Sequence, residues 1–518
     1  MCWKSSAACC ACSRSKQEKS GNLKRVHALI ESGTARGKLV GGMGVSGKTY
    51  HQDQKERRLL LGPSGSTLLD RTATSGRKGI VTRAGRVGCL RHWVYRAAPL
   101  TPGVPISDAV PGKSTRTGRS GSVGLVLATV AIDALGFGIV VPVVPTLVMQ
   151  LSGQPASEAS IWQGALLAAY SLMQFLCAPL LGALSDRFGR RPVLLVSLGG
   201  MCLNYLMLAW APTLGWLFLG RLIAGGTAAS YSAATAYIAD VTPPALRAQR
   251  FGLIGAMFGL GFVAGPALGG LLGGYGLRLP FLVAAALAGA NVLYALFVLP
   301  ESLPPALRRP VQWRRANPVG SLRVIATDPA YARLAIAWCC TWFALGALQS
   351  SFVLENDMRL GWGPQQNGLA LAMVGVGSAI VQGLVVRRLV PLMGERRAAL
   401  TGYVVSALAY LAFAFAGQVW VLMVGIVLQA LGSISGPAVQ ALLSARAGPD
   451  QQGQVQGALA SMQGLTAIVA PLLSGWAFST FAAAGSPVHL PGAPFLLAVL
   501  AYGVAFLAVR RVPPLAAA

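Results

Sequence analysis

From residue 123 to the end, long apolar stretches alternate with short polar ones. The stretches run at 123–148, 161–183, 192–212, 216–239, 250–274, 279–299, 333–354, 367–386, 398–416, 419–443, 455–480 and 494–509. A helix of about 20 apolar residues crosses a bilayer core about 30 Å thick, and each stretch has room for one. The pattern predicts an all-α integral membrane protein with twelve transmembrane helices. The polar connections alternate in charge. Arg187, Arg190 and Arg191, then Arg247 and Arg250, then Arg308, Arg309, Arg314, Arg315 and Arg323, then Arg387, Arg388, Arg396 and Arg397, and last Arg446 lie in even-numbered loops. Odd-numbered loops hold Arg278 and Arg359 as exceptions. Arginine concentrates on the cytoplasmic side of a membrane, which predicts both termini and all even loops in the cytoplasm.

The first six stretches are echoed by the last six. Adding 205 carries Gly189 to Gly394, Arg191 to Arg396, Gly220 to Gly425, Pro244 to Pro449, Gly252 to Gly457, Met257 to Met462, Pro266 to Pro471 and Gly270 to Gly475. The chain therefore reads as a six-helix half over 121–300, a basic central loop over 301–332 and a second half over 333–518. Two parallel-related halves of this kind place a site between them near the midplane.

Composition changes the picture at the N-terminus. The 518 residues are 11% charged, against about 25% in a soluble domain. Of the net charge of +27, residues 1–120 carry +16, from 22 Lys and Arg against 6 Asp and Glu. That segment has no sustained apolar periodicity. It is expected to be a disordered basic extension, or to lie upstream of a true start near Val123. The high net charge does not signal nucleic acid, because the remaining basic residues sit between apolar runs as they do in membrane proteins. Gly42-Met43-Gly44-Val45-Ser46-Gly47-Lys48-Thr49 fits a phosphate-loop formula. It lacks the preceding buried strand and following helix that such a loop needs, and is read as chance. Cys177, Cys202, Cys339 and Cys340 lie in apolar stretches, where a thiol acts as a small hydrophobe. No catalytic triad, metal cluster or cofactor motif is visible, so an enzyme is not expected.

Several residues stand out against this background. The loop after the second stretch reads Gly182-Ala183-Leu184-Ser185-Asp186-Arg187-Phe188-Gly189-Arg190-Arg191-Pro192. Gly189 permits a tight turn, Pro192 suits a helix start, and Asp186, Arg187, Arg190 and Arg191 supply charges for pairing at the membrane surface. In the fifth stretch Gly252, Gly261, Gly265-Pro266 and Gly269-Gly270 include glycines spaced by four. Those form a small-residue face for close helix approach. Arg221 in Gly220-Arg221-Leu222 and Asp133 in Ile132-Asp133-Ala134 are charges inside apolar stretches. A charge at mid-membrane costs about 3 kcal/mol or more unless paired or hydrated. Both are candidates for proton coupling or gating, with Arg221 as the expected counterpart of Asp133.

The 182–192 string resembles the signature loop of the major facilitator superfamily, and the glycine–proline spacing resembles that superfamily's antiporter motif. Over about 123–511 the chain is similar to the tetracycline efflux proteins of Gram-negative bacteria. The likeness is carried by 174–195, 220–242, Pro300-Glu301-Ser302, Asn317–Arg323 and Gln452–Gly457. The resemblance implies an inner-membrane exporter that exchanges a metal–tetracycline chelate for a proton. It needs no cofactor; a divalent metal would travel with the substrate. Carried over by position are Asp133, Gln174, Asp186, Arg190, Arg221, Asp240 and Gln382. Gln174, Asn204, Ser378, Gln382 and Ser406 are expected to line the substrate cavity. The chain departs from the family at three of these. Asn204 and Ser406 stand where the family has membrane aspartates, and Ser378 where it has a histidine. Neither Asn nor Ser exchanges protons in the physiological range. The alternative reading is therefore a major facilitator that exports or imports another small molecule, with altered or absent proton coupling.

The arginine asymmetry generates a direct test of topology. A membrane-impermeant thiol reagent added to intact cells is expected to label Ser152→Cys, in the first odd loop, and not Ser321→Cys, in the central loop. The reverse pattern would invert the map.

Overall fold

The computed structural model describes residues 117–310, 328–446 and 452–513, all within one compact unit spanning Pro111–Ala518. The phosphate-loop look-alike at 42–49 and the central-loop residues 311–327 lie outside the described residues. Among the described residues there is no strand. Lipid offers the backbone no hydrogen-bond partners, so a spanning segment must satisfy them internally, as a helix does.

The first half comprises α1 (Thr117–Val140), α2 (Val144–Ser152), α3 (Ala156–Phe188), α4 (Arg190–Ala209), α5 (Leu214–Thr227), α6 (Ser230–Val241), α7 (Arg247–Tyr275) and α8 (Leu279–Phe297). The second comprises α9 (Pro329–Leu360), α10 (Pro364–Ile380), α11 (Val386–Met393), α12 (Glu395–Ala414), α13 (Val419–Gly432), α14 (Ser435–Arg446), α15 (Gln452–Ala482) and α16 (Ala493–Arg510). One wide π-helical turn, Val381–Val385, joins α10 to α11. Among the described residues, eleven helical segments are long and apolar enough to cross a membrane. The fourth expected crossing is absent from that set because it is two helices, α5 and α6, interrupted at Ala228. The first expected crossing, 123–148, is likewise two pieces. Pro142 has no N–H to continue the ladder, and the chain makes tight turns through Val141 and Val143 before α2.

The sequence repeat is exact in the ends of three helices. Adding 205 to the bounds of α4, α5 and α6 returns those of α12, α13 and α14. The break at Ala228-Ala229 thus has its counterpart at Ser433-Ile434. The correspondence fails at the start of each half, where α9 runs unbroken for 32 residues through the region equivalent to the α1–α2 turn.

Each half has its own core. Phe352, Tyr403, Tyr410, Phe413, Phe495 and Tyr502 cluster in the second. Ile139, Leu147, Tyr205 and Phe281 anchor one layer of the first, and Val126, Leu194, Tyr237 and Ile254 anchor the other. Large apolar side chains such as Leu203, Leu260, Leu293, Leu384 and Leu500 remain exposed around the outside. Exposed Trp210, Trp216 and Trp420 lie at helix ends, where an interfacial belt places tryptophan.

The halves meet along α3–α15 and α7–α10. The contact is concentrated at one end. The Ser160 hydroxyl donates to the Gly475 carbonyl at 2.9 Å. A Cβ on Gly164 would stand 2.4 Å from the Pro471 carbonyl oxygen, and one on Gly368 would stand 2.4 Å from that of Pro266. Met149, Ala156, Leu354, Met358, Phe478 and Ala482 close the same end with an apolar cluster. At the other end, which carries the 182–192 loop, Gly182 on α3, Gly252, Gly255 and Gly259 on α7 and Gly383 would each meet nothing within 4 Å. Among the described residues, the halves approach backbone to backbone at one end, and these glycines toward the other end meet no neighbour.

The glycine face on α7 packs as its spacing predicts. Cβ atoms on Gly261, Gly265 and Gly269 would fall 2.5 Å from Ala134 Cβ, 2.4 Å from Gly138 Cα and 1.9 Å from the Ile139 carbonyl oxygen. These three grip α1, while Gly270 faces α10. Pro266 lies within a continuous helix. Gly252 is outside this contact. Gly265→Leu must push α1 and α7 apart, and overpacking costs about 1–3 kcal/mol. Gly265→Leu is expected to insert into the membrane, unfold at lower temperature in detergent and lose transport. Gly252→Ala, with free space for its methyl group, is expected to change none of these. Parental behaviour from Gly265→Leu in both assays would contradict the packing.

Candidate transport site

The 182–192 loop is built into a clamp at the open end. Arg190 begins α4 and reaches Asp186 Oδ1 at 2.6 Å and Asp240 Oδ2, at the end of α6, at 3.0 Å. It also donates to the Ser185 hydroxyl at 3.2 Å. The first N–H groups of α4 have no partner within the helix, and Gly189 has no side chain to cap them. Glu301 does so from beyond α8: its Oε1 accepts from the Arg190 N–H at 2.9 Å and its Oε2 from that of Arg191 at 3.2 Å. Oε1 also accepts from the N–H groups of Ser302 at 2.9 Å and Leu303 at 3.0 Å. A carboxylate here also complements the helix dipole. Gly189 is doubly required. Its φ is +112°, and a Cβ would lie 2.2 Å from Glu301 Oε2. Arg191 donates to the carbonyls of Ala295 and Leu296 at the end of α8. Arg187 instead lies over the Phe188 ring, 5.1 Å from its centre. Asp186, Arg190, Arg191 and Asp240 thus come together, tying α3, α4, α6 and α8 into one body.

The membrane interior of the first half holds a polar group of residues. Asp133 on α1 accepts from the Ser230 hydroxyl, the first residue of α6, at 2.7 Å. The Ala228 break is what frees this turn of α6 to face α1. Arg221 is buried in the same half. The expected pairing of Asp133 with Arg221 is not made: the hydrogen-bond partner of Asp133 is Ser230. Asp133 is supported by a local hydroxyl one helix break away from Arg221, which sequence spacing alone did not resolve.

The five expected cavity residues divide. Gln382 is exposed on the wide turn of 381–385, and Gln174 and Ser378 are half-buried. Wide turns of this type are frequent at functional sites. Asn204 and Ser406 are fully buried inside their own halves. Asn204 packs against Gly220, with a Cβ there 3.2 Å from its Oδ1, and neither amide atom has a hydrogen-bond partner. Ser406 packs against Gly432. Both sit in helix–helix seams, α4–α5 and α12–α13, because small residues opposite them admit a polar side chain.

Three features take their meaning only from the structure. Glu301 was noted only for its surrounding string, and its capping role needs the end of α8 brought to α4. Glu355 on α9 is buried, with Arg359 at 3.3 Å and no hydrogen-bond donor on either oxygen. A small cavity of about 50 Å³ lies between the halves near the sealed end, where Val141, Phe262 and Pro266 face Leu345, Gln349 and Leu371. Among the described residues no cluster suited to a metal ion occurs.

This arrangement, two helical halves with a charged clamp at one end, can be placed among known proteins. The family model of the Major Facilitator Superfamily matches residues 126–392 and 358–517. The class C tetracycline resistance protein of Escherichia coli is 41% identical over 387 residues, covering 75% of this chain and 96% of that protein. The class G tetracycline resistance protein of Vibrio anguillarum is 39% identical over 353 residues, covering 67% of this chain and 88% of that protein. The crystal structure of the human organic anion transporter MFSD10 (TETRAN) aligns with a TM-score of 0.57 at 26% identity, covering 76% of this chain and 99% of that one. These relatives are transporters rather than enzymes. The chain is a multi-pass membrane protein and belongs to the major facilitator superfamily.

Proposed function

We propose that this protein exports a hydrophobic, tetracycline-like drug across the bacterial inner membrane by alternating access, in exchange for protons. The observation that carries the reading is the one-ended seal. Backbone-to-backbone contacts close the halves at one end, and α3 and α7 stand free at the end that bears the Arg190 clamp. With the arginine-rich loops and both termini in the cytoplasm, and the split fourth crossing counted as one of twelve, this is an inward-open state that admits drug from the cytoplasm. The clamp keeps the first half rigid, so the halves rock against each other instead of deforming. The tetracycline resistance relatives support the substrate class.

Asp133 is the residue proposed to carry the proton. It lies in the wall of the first half, and its Ser230 partner sits at the helix break, where small motions of α6 would make or break the hydrogen bond. One proton moving down about 100 mV releases about 2.3 kcal/mol, enough for about 50-fold accumulation of an uncharged solute.

A second reading rests on Asn204 and Ser406. Both replace acids of the resembled family, and both are buried. The chain would then move another small molecule, outward or inward, with altered or absent coupling. Drug susceptibility of a pump-deficient bacterium expressing the chain separates the two across tetracyclines, phenicols, quinolones and dyes. Resistance to tetracyclines supports the first reading, and sensitivity to them contradicts it. Asp133→Asn keeps the side chain's shape without its titration. Proton-gradient-driven accumulation in inverted vesicles is expected to fall from tens-fold to simple equilibration. Accumulation by Asp133→Asn equal to the parent's would move coupling to another acid.

A further inference from the structure

Two arginines break the charge asymmetry of the loops. Arg278 donates to the carbonyls of Ala209 and Ala211 at 2.7 and 3.0 Å. Arg359, in the last turn of α9, has a different partner: Glu355 Oε1, one turn back, at 3.3 Å. Glu355 is 2% exposed. Neither of its oxygens accepts a hydrogen bond. The Arg359 side chain is 16% exposed and reaches toward the surface.

Glu355 lies within the contact that closes one end. Before it on α9, Phe352 and Val353 line the cavity between the halves. On either side of it, Leu354 is buried with Ala156, Phe478 and Ala482, and Met358 packs on that cluster. Next to it, Asn356 donates to Asn367 Oδ1 at 2.9 Å, and Asn367 donates to the Trp362 and Gly363 carbonyls. That elbow sets Gly368 on α7, where a Cβ would stand 2.4 Å from the Pro266 carbonyl oxygen. Charge is scarce around it. Of the helices packed on α9, α2, α10 and α15 hold no charged residue. Nearby on α3 Glu158 is exposed, as is His489 between α15 and α16, and Asp357 on α9 is half-buried. The other charges of α3, α14 and α16, which are Asp186, Arg187, Arg446 and Arg510, lie at the opposite end.

Burying an ionised carboxylate without hydrogen bonds costs several kcal/mol, and one arginine at its side leaves its other lone pairs empty. Closure over the neutral carboxyl avoids most of that cost. Water entering an opened end supplies the donors that the ionised form needs. We propose that Glu355 is a proton-operated latch on the outer end of the transporter: the halves close over its protonated form, and the end opens as it ionises and pairs with Arg359 in contact with water. The proposal rests on the reading of the closed end as the periplasmic one. The closed form binds the proton more tightly, so acid outside favours closure. The proton comes from the periplasm and returns there at the next opening. The latch therefore adds nothing to the protons exchanged for drug, which remain with Asp133; it returns the emptied transporter to the inward-open state.

Spin labels at Ser152→Cys on the first half and Gly485→Cys on the second span the closed end; a Cβ on Gly485 meets nothing within 4 Å. The full-length chain carries them with its nine native cysteines replaced by serine. The Asp133→Asn background silences the other membrane acid. Pulsed electron resonance in lipid nanodiscs follows their distance from about pH 5 to about pH 9, the range in which buried carboxyl groups titrate. The ratio of the short to the long distance is expected to rise by up to about tenfold per unit fall in pH. Glu355→Gln is expected to hold the short distance at every pH, and Glu355→Asp to keep the pH response. A pH response retained by Glu355→Gln, a shift of that variant to the long distance, or a labelled parent insensitive to pH would each overturn the proposal. Arg359→Gln is expected to keep the end closed to higher pH. An unmoved transition in that variant overturns the proposal even where Glu355→Gln is not recovered folded. Labelling of Ser152→Cys from outside reports on orientation, and tetracycline susceptibility on the exporter reading, so each can fail separately from the latch.

Discussion

Close approach of helix backbones is the constraint on which the rest of the structure depends. Between helices in lipid there is no water to exclude, so association relies on packing and on removing side-chain bulk from the contact. Here Gly265 and Gly269 bring α7 onto α1 so closely that a Cβ would overlap Gly138 and Ile139. Gly270 and Gly368 do the same between α7 and α10, and Gly164 and Gly475 between α3 and α15. The first contact fixes α1, and with it Asp133. The other two seal one end. One helix, α7, thus joins the inner wall of the first half to the interface with the second.

Electrostatics adds what packing cannot. Arg190 and Glu301 bind the ends of four helices at the open end, where the halves have no contact of the kind that seals the other. In the second half Gly394, the counterpart of Gly189, meets nothing within 4 Å. Arg396 donates instead to the Arg510 carbonyl at 2.5 Å. The repeat therefore preserves helix ends but not the clamp. In the proposed cycle the first half is the stiffer body and carries the proton site.

Much of this was legible in the chain because it follows from periodicity. Apolar runs marked the crossings, the 205-residue offset anticipated matching helix bounds, and glycines at four-residue spacing identified the packed face of α7. What escaped depends on geometry between helices. Nothing in 216–239 marks the Ala228 break, since no proline is present and the local composition suits a helix. That break carries Ser230, rather than Arg221, to Asp133. Asn204 and Ser406 read as cavity residues because they replace family acids, yet Gly220 and Gly432 opposite them allow both to be buried in seams.

The central claim is that the sealed and open ends exchange. Gly252→Cys on α7 and Gly383→Cys on the wide turn following α10 both lie where added bulk meets nothing within 4 Å, so spin labels fit at each. The distance between the two labels, measured by pulsed electron resonance in lipid nanodiscs, follows the open end directly. The account predicts two populations, a longer and a shorter distance, whose proportions change when pH or bound drug is varied. A single distance, unchanged by either, would contradict it.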